Sequence, residues 1–254
     1  MKIMKKFDKG LCVLFLCMFS RVIAFYPEYQ DCVDQNLKGD GTYLSFAHKI
    51  DKRDIKTIFE IGSRDAKDAI ELSKFYRCHV FAFECNPVAL EICKSTIGPN
   101  PNITLVPLGV WDSEGEMSFF RVIDGNIGAS SFFEFNPNAR NYPDIVEEGL
   151  IQEEIKVHSI RLDQFLQTNE IENIDLLCMD VQGAAFQVLR GLGEQLAKVK
   201  YIIVELETHP IYSGEVLYAD VDNYLISSGF IRGSGPLDPH GLFGDVLYIN
   251  AALQ

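Results

Sequence analysis

The chain has 254 residues, of which 47% are hydrophobic and 11% are aromatic, and this length and composition suit one large α/β domain with a substantial core. Its formal net charge is −13 at pH 7, and so acidic a surface repels phosphate backbones, which argues against nucleic acid as a substrate. The seven cysteines include no C-x-x-C pair and no metal-binding spacing, so we expect neither a disulfide framework nor a metal site.

The first 24 residues are arranged like a secretory signal peptide. Four lysines among the first nine residues precede an apolar run at 11–19, and Val22-Ile23-Ala24 resembles a small-x-small cleavage site. The apolar run is too short to span a membrane comfortably, so we expect no stable transmembrane segment. We therefore predict that residues 1–24 direct export, the alternative being a frayed amphipathic helix on a cytoplasmic protein. Residues 25–54 are predicted to form an N-terminal arm and a lead-in helix.

From residue 57 onward, short apolar strands alternate with amphipathic helices. Strands are predicted at 57–61, 80–83 and 103–107. The helix between the first two is predicted over 65–76 with Asp65 as its cap, and Asn86-Pro87 has the N-cap and first-turn residues of a second helix. This β-α-β-α-β order predicts parallel strands with helices on both faces of the sheet.

The second half resumes the alternation after an interruption. Residues 117–122 and 155–160 are predicted as added strands on either side of a long polar and aromatic stretch, 124–149. Further strands are predicted at 174–179 and 201–206, with helices at 188–196 and 216–228 and a terminal pair at 230–232 and 245–249. The predicted fold is therefore α/β: a doubly wound, mostly parallel Rossmann-like sheet with a terminal antiparallel strand pair and an insertion between the third and fourth core strands.

Two residues at strand ends point to a nucleoside site. Gly62 ends the first strand and lets the backbone approach a ligand closely before a helix N-terminus. Glu84 ends the second strand, where a carboxylate can accept hydrogen bonds from the two hydroxyls of a ribose. The loop has a single glycine and lacks G-x-G-x-x-G, which disfavours a pyrophosphate-containing dinucleotide.

Several motifs together resemble the FkbM family of methyltransferases. They are Gly62, Glu84-Cys85-Asn86-Pro87, Gly128-Ala129-Ser130-Ser131-Phe132, Arg161-Leu162-Asp163, Asp180-Val181-Gln182-Gly183-Ala184 and Leu189-Arg190-Gly191. The resemblance covers residues 55–250 and implies a methyltransferase domain over 55–254 with the class I fold. It also implies S-adenosylmethionine as cofactor and a small-molecule or glycan acceptor, methylated on a hydroxyl of a sugar or small metabolite.

The resemblance also implies roles for individual residues. Cofactor contacts are expected from Glu60, Gly62 and Ser63 near the methionine part, Glu84 at the ribose, Asn86, and Gly109 to Trp111 around the adenine. Asp180 is expected to line the reaction site as well as the cofactor site.

Two departures from the family pattern leave alternatives open. Ala66 stands where the turn usually has a second glycine, and the Asp-x-Glu-Gly-x-Glu signature has Gln182 and Ala185 in place of its two glutamates. The loss of a carboxylate at Ala185 keeps a cofactor-binding protein without turnover as one alternative. A nicotinamide-dependent reductase on a similar sheet is the other.

A hydroxyl acceptor needs a group that takes its proton, and three candidates follow strand ends. Asp180 follows the fourth core strand, and Glu207 and His209 follow the fifth. We rank Asp180 first as a site residue and His209 second as a base, because the ordinary pKa of histidine suits proton transfer near neutral pH.

Overall fold

The computed structural model describes residues 43–141, 151–234 and 241–254. The predicted signal peptide, most of the predicted arm and part of the predicted insertion lie outside these residues and stay predictions. Within the three ranges, no helix is both long enough and apolar enough to cross a bilayer.

The described residues form ten strands and five α-helices. The strands are β1 (Thr57–Ile61), β2 (His79–Phe83), β3 (Ile103–Val106), β4 (Gly109–Val110), β5 (Gly115–Asp124), β6 (Ile151–Ile160), β7 (Ile174–Met179), β8 (Val199–Glu207), β9 (Phe230–Arg232) and β10 (Phe243–Asn250). The helices are α1 (Lys67–Tyr76), α2 (Pro87–Ile97), α3 (Leu162–Thr168), α4 (Ala185–Leu192) and α5 (Tyr218–Ser227).

Seven strands form the main sheet in the order β3-β2-β1-β7-β8-β10-β9. The pairs from β3 to β8 are parallel, and β10 is antiparallel to both β8 and β9. The chain runs outward from β1 to β3 and then returns to the other side of β1 with β7, so the strand order reverses between β1 and β7. The prediction of a doubly wound, mostly parallel sheet with a terminal antiparallel pair is confirmed.

The two added strands build a separate small sheet. β5 and β6 pair antiparallel, and β4 joins the other side of β6, giving the order β4-β6-β5. Isolated bridges connect Phe120 to Ser131 and Phe135 to Tyr212. The insertion therefore brings the aromatic segment after β5 next to the loop that follows β8.

Helices cover both faces of the main sheet. Ile58 of β1 packs in a core with α1, α2 and the first described segment, while its neighbour Phe59 packs in a second core with α3, α4 and α5. Both side chains are fully buried. Strands buried on both faces read as continuous apolar runs, which is the pattern that the core strands have in the sequence.

The N-terminus of α2 agrees with the prediction, and that of α1 does not. Asn86 caps α2 as predicted, since its side chain accepts from the N–H of Val88 and Pro87 is the first helical residue. The predicted start of α1 at Asp65 is wrong, because the helix begins at Lys67 after Ala66, whose backbone is left-handed (φ 59°). Asp65 still accepts from the N–H of Lys67, at 3.1 Å.

The predicted lead-in helix is a 3₁₀ helix, Tyr43–Lys49, instead of an α-helix.

Candidate active site

A cavity opens at the carboxyl ends of β1, β2 and β7, beside the point where the strand order reverses. Open α/β sheets bind ligands at this place. It is lined by Ile61, Gly62, Arg64, Phe83, Glu84, Cys85, Asn86, Ala89, Leu108, Gly109, Val110, Phe119, Ile127, Gly128, Ser130, Phe132, Asp180 and Val181. We call this the donor cavity.

Gly62 is required by the close approach of two strand ends. Its φ is +88°, and a Cβ atom placed on it would lie 1.9 Å from the carbonyl oxygen of Asp180. The N–H groups of Gly62 and Ser63 both donate to the carbonyl of Phe83, each at 3.0 Å. The turn after β1 is therefore fixed to both neighbouring strands, β2 and β7.

Glu84 is a buried carboxylate held by backbone donors. Its Oε2 accepts from the N–H of Arg64 at 2.8 Å, and its Oε1 accepts from the N–H groups of Cys85 and Asn86 at 2.8 and 2.7 Å. Burial raises the pKa of Glu84, and these three hydrogen bonds lower it. An ionised carboxylate has about four acceptor positions, so one is left for a ribose hydroxyl.

Glu60 and Ser63 contact each other instead of lining the donor cavity. The Ser63 hydroxyl donates to the Glu60 carboxyl, and both residues are buried. Burial raises the pKa of Glu60 well above its ordinary value. Asn86, in contrast, lines the cavity, and its amide donates to the Ser130 hydroxyl at 3.4 Å.

Gly109 lies at an aromatic end of the donor cavity. A Cβ atom on Gly109 would lie 2.4 Å from the ring of Phe132, so the ring packs directly on the glycine backbone. Phe132 also contacts the rings of Trp111 and Phe119, with centroids 4.9 and 5.2 Å apart. This end of the cavity suits a flat heteroaromatic ring.

A second cavity adjoins the first and shares Arg64, Gly128 and Asp180 with it. We call it the acceptor cavity. Its lining residues are Arg64, Asn126, Gly128, Ala129, Phe135, Asp180, Gln182, Glu205, Glu207, Ile211, Tyr212 and Phe243.

Gln182 connects three side chains of the acceptor cavity. Its Nε2 donates to Asp180 Oδ1 at 2.5 Å and to Glu205 Oε1 at 2.9 Å, and its Oε1 accepts from the Tyr212 hydroxyl at 2.7 Å. A glutamate at this position could not donate to two carboxyl groups. Gln182, which replaces a glutamate of the family signature, therefore supplies the donors that the carboxyl groups around it accept.

Asp180 and Glu205 form a buried carboxyl pair. Burial raises the pKa of both, and the nearby Asp180 carboxyl group raises that of Glu205 further. Burial beside Glu215 raises the pKa of Glu207 to about 8. Sequence reasoning did not single out Glu205 or Tyr212. Glu205 could have been found, because it lies two residues before Glu207 and therefore on the same face of β8.

His209 and Ala185, which the sequence analysis also considered, lie outside both cavities. His209 is hydrogen-bonded through Nδ1 to the Thr208 hydroxyl at 2.8 Å and does not line either one. Ala185 is the first residue of α4 and is packed into the core, so the carboxylate missing there is not missing from a cavity wall. Across the described residues there is no group of three or more His, Cys, Asp or Glu side chains placed to bind a metal ion.

A sequence model of the Methyltransferase FkbM domain matches residues 60–232. The chain belongs to the FkbM methyltransferase family. One relative is the 2-O-methyltransferase NoeI of Sinorhizobium fredii, 28% identical over 77% of this chain and 80% of that protein. Another is the hexuronic acid methyltransferase AglP of Haloferax volcanii, 27% identical over 59% of this chain and 55% of that protein.

A solved structure that resembles this FkbM protein is a TehB-like SAM-dependent methyltransferase from Corynebacterium glutamicum. The two share 9% identity, with a TM-score of 0.46 over 91% of this chain and 98% of that one. Family membership makes the protein an S-adenosylmethionine-dependent methyltransferase. It rules out the alternative of a nicotinamide-dependent reductase.

Proposed function

We propose that this FkbM methyltransferase transfers the methyl group of S-adenosylmethionine to a hydroxyl group of a sugar. The observation that carries the proposal is the position of Asp180, which lines both cavities where they meet. The names of the two relatives, a 2-O-methyltransferase and a hexuronic acid methyltransferase, favour a sugar acceptor.

The donor cavity fits the cofactor by the chemistry of its walls. Glu84 offers a fixed carboxylate for the ribose, and the aromatic end at Gly109 and Phe132 suits the adenine. Gly62 leaves backbone space, and the Arg64 cation can pair with the carboxylate of the methionine part. Glu60 and Ser63 stabilise this turn through the hydrogen bond between their side chains. The bound cofactor supplies an electrophilic methyl group on a sulfonium.

The acceptor cavity then has to align a hydroxyl and remove its proton. In the displacement, the hydroxyl oxygen forms a bond to the methyl carbon as the carbon–sulfur bond breaks, and the proton leaves the oxygen. We assign the proton to Asp180, since its carboxyl group accepts a hydrogen bond from Gln182 and lies at the junction of the two cavities. His209 is the weaker candidate because it lies outside the cavity walls.

The test compares Asp180→Asn with His209→Ala. Loss of a general base costs roughly 10²–10⁴-fold in turnover, so Asp180→Asn should lose methyl transfer to a sugar panel by that factor. His209→Ala should stay within about threefold of the wild type, because its side chain is remote from the junction. Calorimetry with S-adenosylhomocysteine checks that both variants keep the donor cavity intact.

Three results would contradict the proposal. An active Asp180→Asn variant would remove the assigned base, and an inactive His209→Ala variant that still binds S-adenosylhomocysteine would move that role to the histidine. A wild-type protein that binds the cofactor but methylates no sugar would favour the remaining alternative, a binding protein without turnover.

A further inference from the structure

The walls of the acceptor cavity carry more carboxyl groups than cations. Asp180, Glu205 and Glu207 all line it, and Arg64 is the one cation among its described lining residues. Asp245 of β10 stands directly opposite Glu205 in the strand register and adds a fourth carboxyl group behind the wall. The cavity therefore presents three carboxyl groups to an acceptor and one positive charge.

The single cation does not compensate the deeper carboxyl groups. Arg64 acts on Asp180, whereas the charges that act on Glu205 are those of Asp180, Glu207 and Asp245. The charges that act on Glu207 are likewise those of carboxyl groups, Glu215 and Asp180. Each of these carboxyl groups raises the pKa of its neighbours, so the protein alone leaves them unneutralised unless they bind protons.

An unused acceptor atom lies at the centre of this group. Glu207 is 2% exposed, and its Oε2 has no hydrogen-bond partner. The neighbouring Oε2 of Glu215 is also buried without a partner. Buried carboxyl oxygens are normally paired, because an unpaired polar atom away from water is costly. Glu207 lines the acceptor cavity, so a donor bound there could pair with its carboxyl group after a small shift of the side chain, whereas Glu215 does not line the cavity.

We infer that the acceptor is a sugar that carries a positively charged amino group close to the hydroxyl that is methylated. An ammonium group has three donors and one positive charge, and so matches a wall whose carboxyl groups outnumber its cations and can ionise beside a bound cation. The stacked rings of Phe135 and Tyr212, and the half-exposed ring of Phe243, offer apolar and cation–π contacts on the same cavity.

The same wall disfavours an anionic sugar. The carboxylate of a hexuronic acid would meet three carboxyl groups, and like charges at close range discriminate strongly against a partner. This chain is therefore expected to differ in acceptor preference from a methyltransferase that acts on hexuronic acids. The inference rests on the proposed function, because it specifies the substrate of the same acceptor cavity.

The experiment measures acceptor binding by calorimetry at neutral pH with S-adenosylhomocysteine present. The ligands are methyl glycosides of a 2-amino sugar, its N-acetyl derivative and the matching uronic acid, in the gluco and galacto series. The amino sugar should bind at least ~10-fold more tightly than its N-acetyl partner in one series, with the uronic acid weakest. Equal or reversed affinities, or no measurable binding of either amino sugar, would overturn the inference.

Two variants test whether the carboxyl groups cause the preference. Glu207→Gln and Glu205→Gln each remove one carboxyl group that can ionise beside a bound ammonium group while keeping the side-chain shape, and each should reduce the preference for the amino sugar to within about threefold. The affinity for S-adenosylhomocysteine should not change. Asp220→Asn, on the exposed side of α5, removes a charge far from the cavity and should keep the preference.

The inference and the proposed function fail in different ways. Methylation of neutral sugars without preference for amino sugars would overturn the inference and leave the proposed function standing. Binding of S-adenosylhomocysteine without methyl transfer to any sugar, charged or neutral, would overturn both. A preference that survives in both glutamine variants would also overturn the inference, because its stated cause would be absent.

Discussion

Replacing Glu207 by glutamine should change the dependence of protein stability on pH. The pKa of this carboxyl group is about 8 in the folded protein, against an ordinary value of 4.5. The folded state thus binds the proton more tightly than the unfolded state. Between pH 4.5 and pH 8 the free energy of unfolding should therefore fall as the pH rises.

The size of the effect follows from the same two values. If Glu207 titrated alone, the difference between its two pKa values would lower the free energy of unfolding by at most roughly 5 kcal/mol at pH 8. Glu215, with a pKa of about 7, titrates in the same range and shares the effect, so we expect about 2 kcal/mol to depend on Glu207 itself. Glu207→Gln is neutral at every pH, and should be about 2 kcal/mol more stable than the wild type at pH 8.5. At pH 5 the variant should be equal or slightly less stable.

The assay is urea unfolding at a series of pH values from 5 to 8.5, with wild type, Glu207→Gln and the exposed control Glu194→Gln. The control should follow the wild-type curve throughout, because its carboxyl group is in solvent. Parallel curves for wild type and Glu207→Gln would refute the reasoning, since they would mean that burial does not hold a proton on this group.

Two further predictions concern the donor cavity. Gly62→Ala should destabilise the protein by more than about 3 kcal/mol in urea unfolding, because it combines a positive φ with a clash against the Asp180 carbonyl. Gly98→Ala has a positive φ and no heavy atom within 4 Å, so it should cost only the backbone strain, about 1–3 kcal/mol, and an equal loss in both would remove the clash from the explanation. Glu84→Gln should weaken S-adenosylhomocysteine binding in calorimetry by ~1–3 kcal/mol, whereas Glu91→Gln on the exposed face of α2 should not, and unchanged binding in the first would exclude Glu84 from the site.

Much of the fold could be predicted because the core strands are apolar on both faces and short turns separate them from the helices. Asn86-Pro87 marked the start of α2 correctly, since both residues act locally. The start of α1 could not be predicted in the same way. Ala66 adopts a left-handed backbone that its own side chain disfavours, because the preceding turn is fixed by hydrogen bonds from Gly62 and Ser63 to the adjacent strand.

The donor side of the site was easier to predict than the acceptor side. Gly62 and Glu84 follow consecutive strands, so their meeting follows from the parallel order alone. The acceptor cavity brings Phe135 from the insertion against Tyr212 from the loop after β8, and nothing in the local sequence of either segment indicates that contact. His209 was predicted from its residue type and its place after β8, but its ring is hydrogen-bonded to the Thr208 hydroxyl and lines neither cavity.

The bridge made by Gln182 links the chemistry of two positions that are 23 residues apart in the chain. With glutamine at 182, one amide group donates to both Asp180 and Glu205. A glutamate at 182 would place a third carboxyl group between them and would require a proton or a cation there. In FkbM proteins that keep the glutamate, we therefore expect either a non-acidic residue at the position of Glu205 or a bound proton or cation, and we expect these two positions to vary together in evolution.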